Sequence, residues 1–267
     1  MRSLNGLVIF TVFGSFLTLY GCSVFQKSHT PPLTKQTDGI SQIVSSIIEL
    51  SEDSSVLILG EKHGNPESQK LTVALVKSLI NQGNKVFLGL EIPSTSQDDL
   101  ERVLVGQEPV CEEFISPIVD HPAYKEMLRE LGMLKTKGVP LHIRAIDAPP
   151  SVQDRDGTMC CNVFVAIDSG QYDRLVVLVG NIHGIKHIVW APEVSHNPQY
   201  LAGRLIQEGV KVFTVLQYWD EGTEQPKLIS TTTPQGSALA MKVMDPVNHG
   251  VKMTGSDVAD AVVLWPK

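Results

Sequence analysis

The chain has 267 residues and a net charge of −7, with 42% hydrophobic and 19% charged side chains. That is enough apolar material for one large core or two small ones, which excludes a disordered chain, and the acidic balance gives phosphate backbones no long-range attraction, so no nucleic-acid partner is expected. The 21 glycines follow no triplet period, excluding collagen, and four cysteines in this length do not make a disulfide scaffold.

In chain order, the first element is an address. Arg2 precedes an apolar run from Leu7 to Tyr20, and Gly21-Cys22 follow it. A basic start, an apolar run and small residues at its end read as a secretory signal. The run is short for a spanning helix, which needs about 20 apolar residues; an uncleaved anchor helix is the alternative. Leu19-Tyr20-Gly21-Cys22 resembles a bacterial lipobox, although Tyr20 stands where a small residue is usual. The resemblance implies that residues 1–21 are a signal peptide and that Cys22 is lipidated. Ser23, in place of Asp, implies sorting to the outer membrane, with the domain tethered there by its lipid and facing the periplasm. Residues 22–40 are polar, contain Pro31-Pro32 and read as a tether. Residues 41–267 are then one α/β domain. Cys111, Cys160 and Cys161 remain; one of the neighbouring pair bonds Cys111 in the oxidising periplasm, or all are buried thiols.

The domain alternates between two patterns. Ser55–Gly60, Lys85–Leu90, Val139–Ile146, Leu175–Val179 and Val210–Leu216 are short apolar runs rich in branched residues, and read as buried strands. Ser68–Gln82, Ser96–Leu104, Pro122–Lys137, Asp156–Asp168 and Gln199–Glu208 read as helices from apolar spacing, capping residues and terminal glycines. Such alternation predicts an α/β fold with a mostly parallel sheet, helices on both faces and a small helical insertion around residues 94–137. The Thr231–Pro234 run and Met241–His249 read as surface loops, and Val258–Leu264 as a final edge strand.

Chemistry-bearing residues follow the strands. Gly60-Glu61-Lys62-His63 follows the first, Glu91 the second, Asp147 the third and Gly180-Asn181-Ile182-His183 the fourth. In an open parallel sheet, ligands bind outside the C-terminal strand ends. Residues distant in sequence therefore converge on one edge. Two turns share the pattern Gly-x-x-His, in which glycine lets the chain leave the strand sharply. Strand-end acids also cap helices and strand-end histidines are often structural, so the repetition carries more weight than any one residue.

These motifs resemble those of the superfamily of TraB/Tiki-like, erythromycin-esterase-like and ChaN-like haem-uptake proteins. The matching segments are Gly60-Glu61-Lys62-His63, Gly89-Leu90-Glu91, Gly180-Asn181-Ile182-His183 and, opening a helix, Arg155-Asp156-Gly157-Thr158-Met159-Cys160-Cys161-Asn162. Where relatives often carry Asp-Gly-Arg-x-Ser, this chain has Asp120-His121-Pro122-Ala123-Tyr124. The missing Arg and Ser bear on substrate contacts more than on the core site. The resemblance spans Ser55 to Tyr218 and leaves the tail from Trp219 uncovered.

Three functions are open. In a hydrolase, Glu61, His63, Glu91, Arg155 and His183 are the catalytic set: a histidine moves protons near neutral pH, a carboxylate fixes its tautomer, and Arg155 holds an anion. His63, Glu91 and His183 also suffice as ligands for Zn²⁺ or Mn²⁺ with a position left for water. The Tiki-like resemblance implies that metal form, the erythromycin-esterase-like resemblance a metal-free base. Asp147, Asp156 and Asn181 are expected behind them as supports. The substrate is a small molecule or a peptide. The ChaN-like resemblance implies instead a haem- or iron-binding uptake lipoprotein, for which His121 and Tyr124, with Met127, lie near the start of one helix. The third reading is a structural lipoprotein without catalysis. His-Glu-x-x-His and Gly-x-Ser-x-Gly motifs are absent.

Overall fold

A computed structural model describes residues 39–107, 115, 119–190, 199–244 and 253–267. The signal, Cys22, the tether up to residue 38 and Cys111 lie outside the described residues. Helix α1 (Gly39–Leu50) leads into β1 (Val56–Glu61), α2 (Glu67–Asn81) and β2 (Val86–Pro93). Helices α3 (Gln97–Leu104) and α4 (Pro122–Thr136) form the expected insertion before β3 (Leu141–Asp147). Then come α5 (Arg155–Asp168), β4 (Arg174–Gly180), a 3₁₀ turn (Asn181–Gly184), α6 (Leu201–Gln207) and β5 (Val212–Asp220). The end of the chain supplies β6 (Lys227–Ser230), α7 (Pro234–Met244), α8 (Gly255–Val258) and β7 (Ala261–Pro266).

The seven strands lie in the order β3-β2-β4-β1-β5-β7-β6. All neighbours are parallel except β6 with β7. Strand β1 is buried along its whole length, as its unbroken apolar run predicts. Alternate residues serve opposite layers. Leu57 and Leu59 pack with Ile47, Leu71, Leu79 and Leu128 from α1, α2 and α4. Val56 and Ile58 pack with Met159, Val163 and Leu205 from α5 and α6. The α/β prediction with covered faces is therefore met. Truncating a fully buried residue such as Leu59 to Ala would cost about 2–5 kcal/mol through lost burial and the cavity left behind.

The structure departs from the sequence reading mainly at the ends. Helix α1 begins at Gly39, within the expected tether, and buries Ile43, Val44 and Ile47. Strand β7 is not an edge: it lies between β5 and β6, and β6 is the edge strand that the sequence reading missed. Pro234 opens α7 instead of ending a loop, because proline loses no hydrogen bond in a helix's first turn. Met241–Met244 is the last part of that helix. Cys160 is buried, Cys161 is exposed, and both are free thiols. No helix among the described residues is long and apolar enough to cross a membrane.

Candidate functional site

Strands β1 and β4 are neighbours, with Glu61 registered against Gly180. Their C-terminal turns therefore emerge side by side, and β2, on the other side of β4, brings Glu91 to the same edge. The two Gly-x-x-His turns interlock through their glycines. A β-carbon on Gly180 would lie 3.1 Å from His63 Nε2, and one on Gly60 would lie 2.4 Å from Asn181 Oδ1. Each glycine makes room for the other turn. Gly180 has φ −52°, so the requirement is space and not a left-handed backbone.

The β1 turn forms a histidine–carboxylate pair. His63 Nδ1 lies 2.7 Å from Glu61 Oε1. The other oxygen of Glu61 accepts from Gln69 Nε2 on α2. Glu61 is buried, while the His63 side chain keeps 27% exposure. Burial alone lowers the His63 pKa, but the Glu61 hydrogen bond and the charges of Glu61 and Glu91 outweigh it and raise the ring above its ordinary value. With Nδ1–H donated to Glu61, Nε2 carries the lone pair and lies beside Gly180.

The β4 turn is more enclosed. His183 Nδ1 lies 2.7 Å from Asp156 Oδ1, and its Nε2 lies 3.6 Å from Glu91 Oε1. The side chain is 8% exposed. Asp156 Oδ1 also accepts the Leu201 N–H at 2.7 Å. Burial lowers the His183 pKa, whereas the Asp156 hydrogen bond and the charges of Asp156 and Glu91 raise it above the ordinary value. Carboxylates face both ring nitrogens, which favours the imidazolium. Tyr200 stands edge-on over this ring at 6.2 Å.

Arg155 joins the acids between the histidines. Its Nε donates to Asp147 Oδ1 at 2.9 Å and its Nη2 to Asp147 Oδ2 and Glu91 Oε1, both at 2.6 Å. Its Nη1 makes no hydrogen bond to the described residues. The Asp147 hydrogen bonds, with the charges of Asp147 and Glu91, hold the guanidinium above its ordinary pKa despite burial. The second oxygen of Glu91 accepts the Gly180 N–H at 2.6 Å. The helix-opening motif is thus distributed: Arg155 and Asp156 serve the site, Met159 is core, and Asn162 Nδ2 donates to the Ile146 carbonyl at 2.8 Å, pinning α5 to β3.

These bonds decide the metal question on donor chemistry. Both Glu91 oxygens are taken, one by Arg155 and one by a backbone N–H, and the neighbouring guanidinium opposes a second cation. His63, Glu91 and His183 therefore do not fit a Zn²⁺ or Mn²⁺ ligand set, and no group of three or more His, Cys, Asp or Glu among the described residues could hold a metal ion. Asn181 also differs from expectation. Its Nδ2 donates to the Gln217 carbonyl and its Oδ1 accepts the Gln217 N–H, both at 3.0 Å, so it clamps the turn to β5 and does not support a catalytic side chain.

His121 and Tyr124 lie at the start of α4, edge to face, with ring centres 6.1 Å apart. Tyr124 is fully buried, and its hydroxyl, like His121 Nε2 and Gln69 Oε1, has no hydrogen-bond partner among the described residues. Burial raises the Tyr124 pKa well above its ordinary value, and the nearby charges of Glu61, Glu91 and Asp147 add to the rise. Burial lowers that of His121. Met127, like Tyr124, is core. Gln69, Tyr200 and the Gly180 N–H are the contributors the sequence reading missed. Nothing in a helical Gln or a loop Tyr announces such contacts before the fold is known.

No protein-family model and no curated protein matches the chain. Solved structures do. A succinoglycan biosynthesis protein superposes with a TM-score of 0.60 at 10% identity, over 85% of this chain and 96% of its own. The erythromycin esterase EreC in its open conformation gives a TM-score of 0.60 at 13% identity, over 86% and 96%. ChaN of Campylobacter jejuni, bound to cofacial haem, gives 0.40 at 13% identity, over 82% and 90%. That last likeness is too low to bear on a ligand. The first two establish the fold at identities that leave function open: this chain has the fold of an erythromycin esterase, as the strand-end motifs implied.

Proposed function

We propose that the protein is a metal-independent hydrolase acting on an ester or related acyl bond at the C-terminal edge of the sheet. The observation that carries this reading is the β1 turn: His63 is anchored through Nδ1 to buried Glu61 at 2.7 Å, which leaves Nε2 free, and the residue lines an open cavity of about 510 Å³. A tautomer fixed in this way is a general base. His63 Nε2 takes a proton from water, the water oxygen adds to the carbonyl carbon, and the carbonyl π electrons move to oxygen. Arg155 and, when protonated, His183 supply positive charge to that oxyanion through the field of the site, since neither lines the cavity itself. When the carbon–leaving-group bond breaks, the leaving oxygen takes the proton from His63. Glu61 holds the ring throughout, while Glu91 and Asp147 hold the guanidinium. The fold shared with erythromycin esterase supports the reading without deciding the substrate.

A panel of esters and small amides, assayed on the purified full chain, tests this. Turnover should survive chelators and disappear in His63→Ala; activity unchanged by that substitution would refute the assignment. The rival, haem uptake, draws on the unpartnered Tyr124 hydroxyl and His121 Nε2. Tyr124 is wholly enclosed, so its oxygen is not presented to a macrocycle. A saturable Soret shift with haemin, lost in Tyr124→Phe, would replace the hydrolase by the haem reading. We further infer that Cys22 bears the lipid that holds the domain at the outer membrane, facing the periplasm. Labelled palmitate should enter the wild-type protein and not Cys22→Ser.

A further inference from the structure

The cavity beside His63 has a character the catalytic groups do not require. Its walls are Ile182, Ile185, Tyr218, Trp219 and Val243, from the β4 turn, β5 and α7. Three lysines line it as well: Lys62 in the β1 turn, Lys242 on α7 and Lys267 at the end of the chain. Lys242 Nζ sits 5.6 Å from the centre of the Tyr218 ring, and Lys267 pairs with Glu221 at 3.0 Å. The only carboxylate lining the cavity among the described residues is Glu61, whose oxygens are engaged by His63 and Gln69. In a chain of net charge −7, this concentrates positive charge beside an apolar slot. A volume near 510 Å³ suits one small molecule, since ligand pockets run about 300–1,000 Å³.

We propose that this cavity is the substrate's specificity site and that it takes anionic amphiphiles. The apolar body lies on Ile182, Trp219 and Val243, a carboxylate, sulfate or phosphate lies among the lysines, and the scissile carbonyl reaches His63. Apolar burial supplies affinity, and the lysines select charge in a salt-dependent manner. The inference rests on the hydrolase reading only for the word substrate; the binding preference stands independently.

Binding is therefore measured without turnover. The full chain in lipid nanodiscs is titrated calorimetrically with octanoate, 1-octanol and octyltrimethylammonium, and empty nanodiscs give the baseline. Octanoate should bind one to one, about tenfold or more tighter than octanol, which corresponds to at least about 1.4 kcal/mol. The ammonium compound should bind more weakly than octanol. Octyl sulfate or octyl phosphate should share the octanoate preference and show which anion the lysines favour. Lys62→Gln with Lys242→Gln should remove the advantage of octanoate over octanol, and Val243→Trp should weaken both by filling the slot. Octanol binding as well as octanoate, or an octanoate advantage indifferent to both lysines, overturns the proposal. If the charge preference holds but no ester is cleaved, the hydrolase reading fails and this one survives. If esters are cleaved but octanoate shows no lysine-dependent advantage in binding, this one fails alone.

Discussion

The two Gly-x-x-His turns look equivalent in sequence and occupy adjacent strand ends, yet they hold their histidines in opposite conditions. His63 takes its carboxylate from its own turn, two residues back, and stays partly open. His183 takes Asp156 from the first turn of α5, faces Glu91 on its other side and is closed in. Proximity in sequence leaves the β1 ring one free nitrogen lone pair. Tertiary pairing occupies both nitrogens of the β4 ring. The same motif thus yields a half-open ring with one carboxylate partner in one place and an enclosed ring between two carboxylates in the other.

Alanine at each position tests that division with the largest effects. His63→Ala should reduce ester turnover by about 10²–10⁴-fold, the usual worth of a positioned acid–base group. Its stability cost should be smaller, about 1–3 kcal/mol, because the ring is half-open and the buried Glu61 keeps Gln69 as its other partner. His183→Ala should also lower turnover, and because the enclosed ring is ion-paired to Asp156 its loss should cost more, about 3–5 kcal/mol, even though Glu91 keeps Arg155 and the Gly180 N–H. Turnover and urea denaturation on both variants read the contrast. Equal stability losses would erase it.

The glycines offer a second contrast. Gly180→Ala pushes against a side-chain ring, His63, at 3.1 Å, so kcat should fall while the melting temperature changes little. Gly60→Ala meets Asn181 Oδ1 at 2.4 Å and the Asn181 Cα at 2.9 Å. Asn181 is bonded to β5 and cannot move aside freely, so this substitution should destabilise the fold first. Thermal melts and steady-state kinetics on the pair distinguish a displaced base from a displaced turn.

These asymmetries explain what was legible in the sequence. The strands, the insertion and the convergence of Glu61, His63, Glu91, Asp147 and His183 were readable, because buried strands have continuous apolar runs and their ends point one way; Arg155, which opens a helix, was legible only through the family resemblance. Which carboxylate, Glu61 or Glu91, holds His63 was left open; the short β1 turn brings Glu61 to Nδ1. Who occupies Glu91 was not, since Arg155 and the Gly180 N–H arrive from other elements; the expected metal set failed on that point. Asn181 looked like a support for His183 because it sits in the same turn, but its amide matches the backbone of a strand 36 residues later. Strand β7 read as an edge because its only antiparallel neighbour, β6, is four residues long with no fully buried position.

The pH response should separate the histidines again. A general base works as the neutral ring, so turnover falls as pH drops through the His63 pKa, which lies above 6.5. In Glu61→Gln the hydrogen bond to a charged acceptor is lost, and the acidic limb should move to lower pH. His183 works in the other direction, on stability. Its pKa is raised in the folded protein, so its contribution is complete below 6.5 and is lost as pH rises through the raised value. The melting-temperature gap between wild type and His183→Asn should therefore be widest in acid and close in base. A gap independent of pH would mean that His183 is held neutral.

The smallest expected effect lies on the far side of Glu61. The Tyr124 hydroxyl is fully buried and has no partner among the described residues. A buried hydroxyl left unsatisfied costs about 1–3 kcal/mol, so removing it by Tyr124→Phe, with the ring's packing kept, should raise stability by about 1 kcal/mol. The ring itself is needed, and Tyr124→Ala should lose about 3–5 kcal/mol, as for other large aromatics. The direction of the Phe change carries the information. A higher melting temperature confines the proton network of the β1 turn to His63, Glu61 and Gln69. A lower one, with the acidic limb of turnover shifted, extends that network through Tyr124 into α4. The β1 turn would then be as dependent on tertiary partners as the β4 turn, and the contrast between the two histidines would be one of exposure alone.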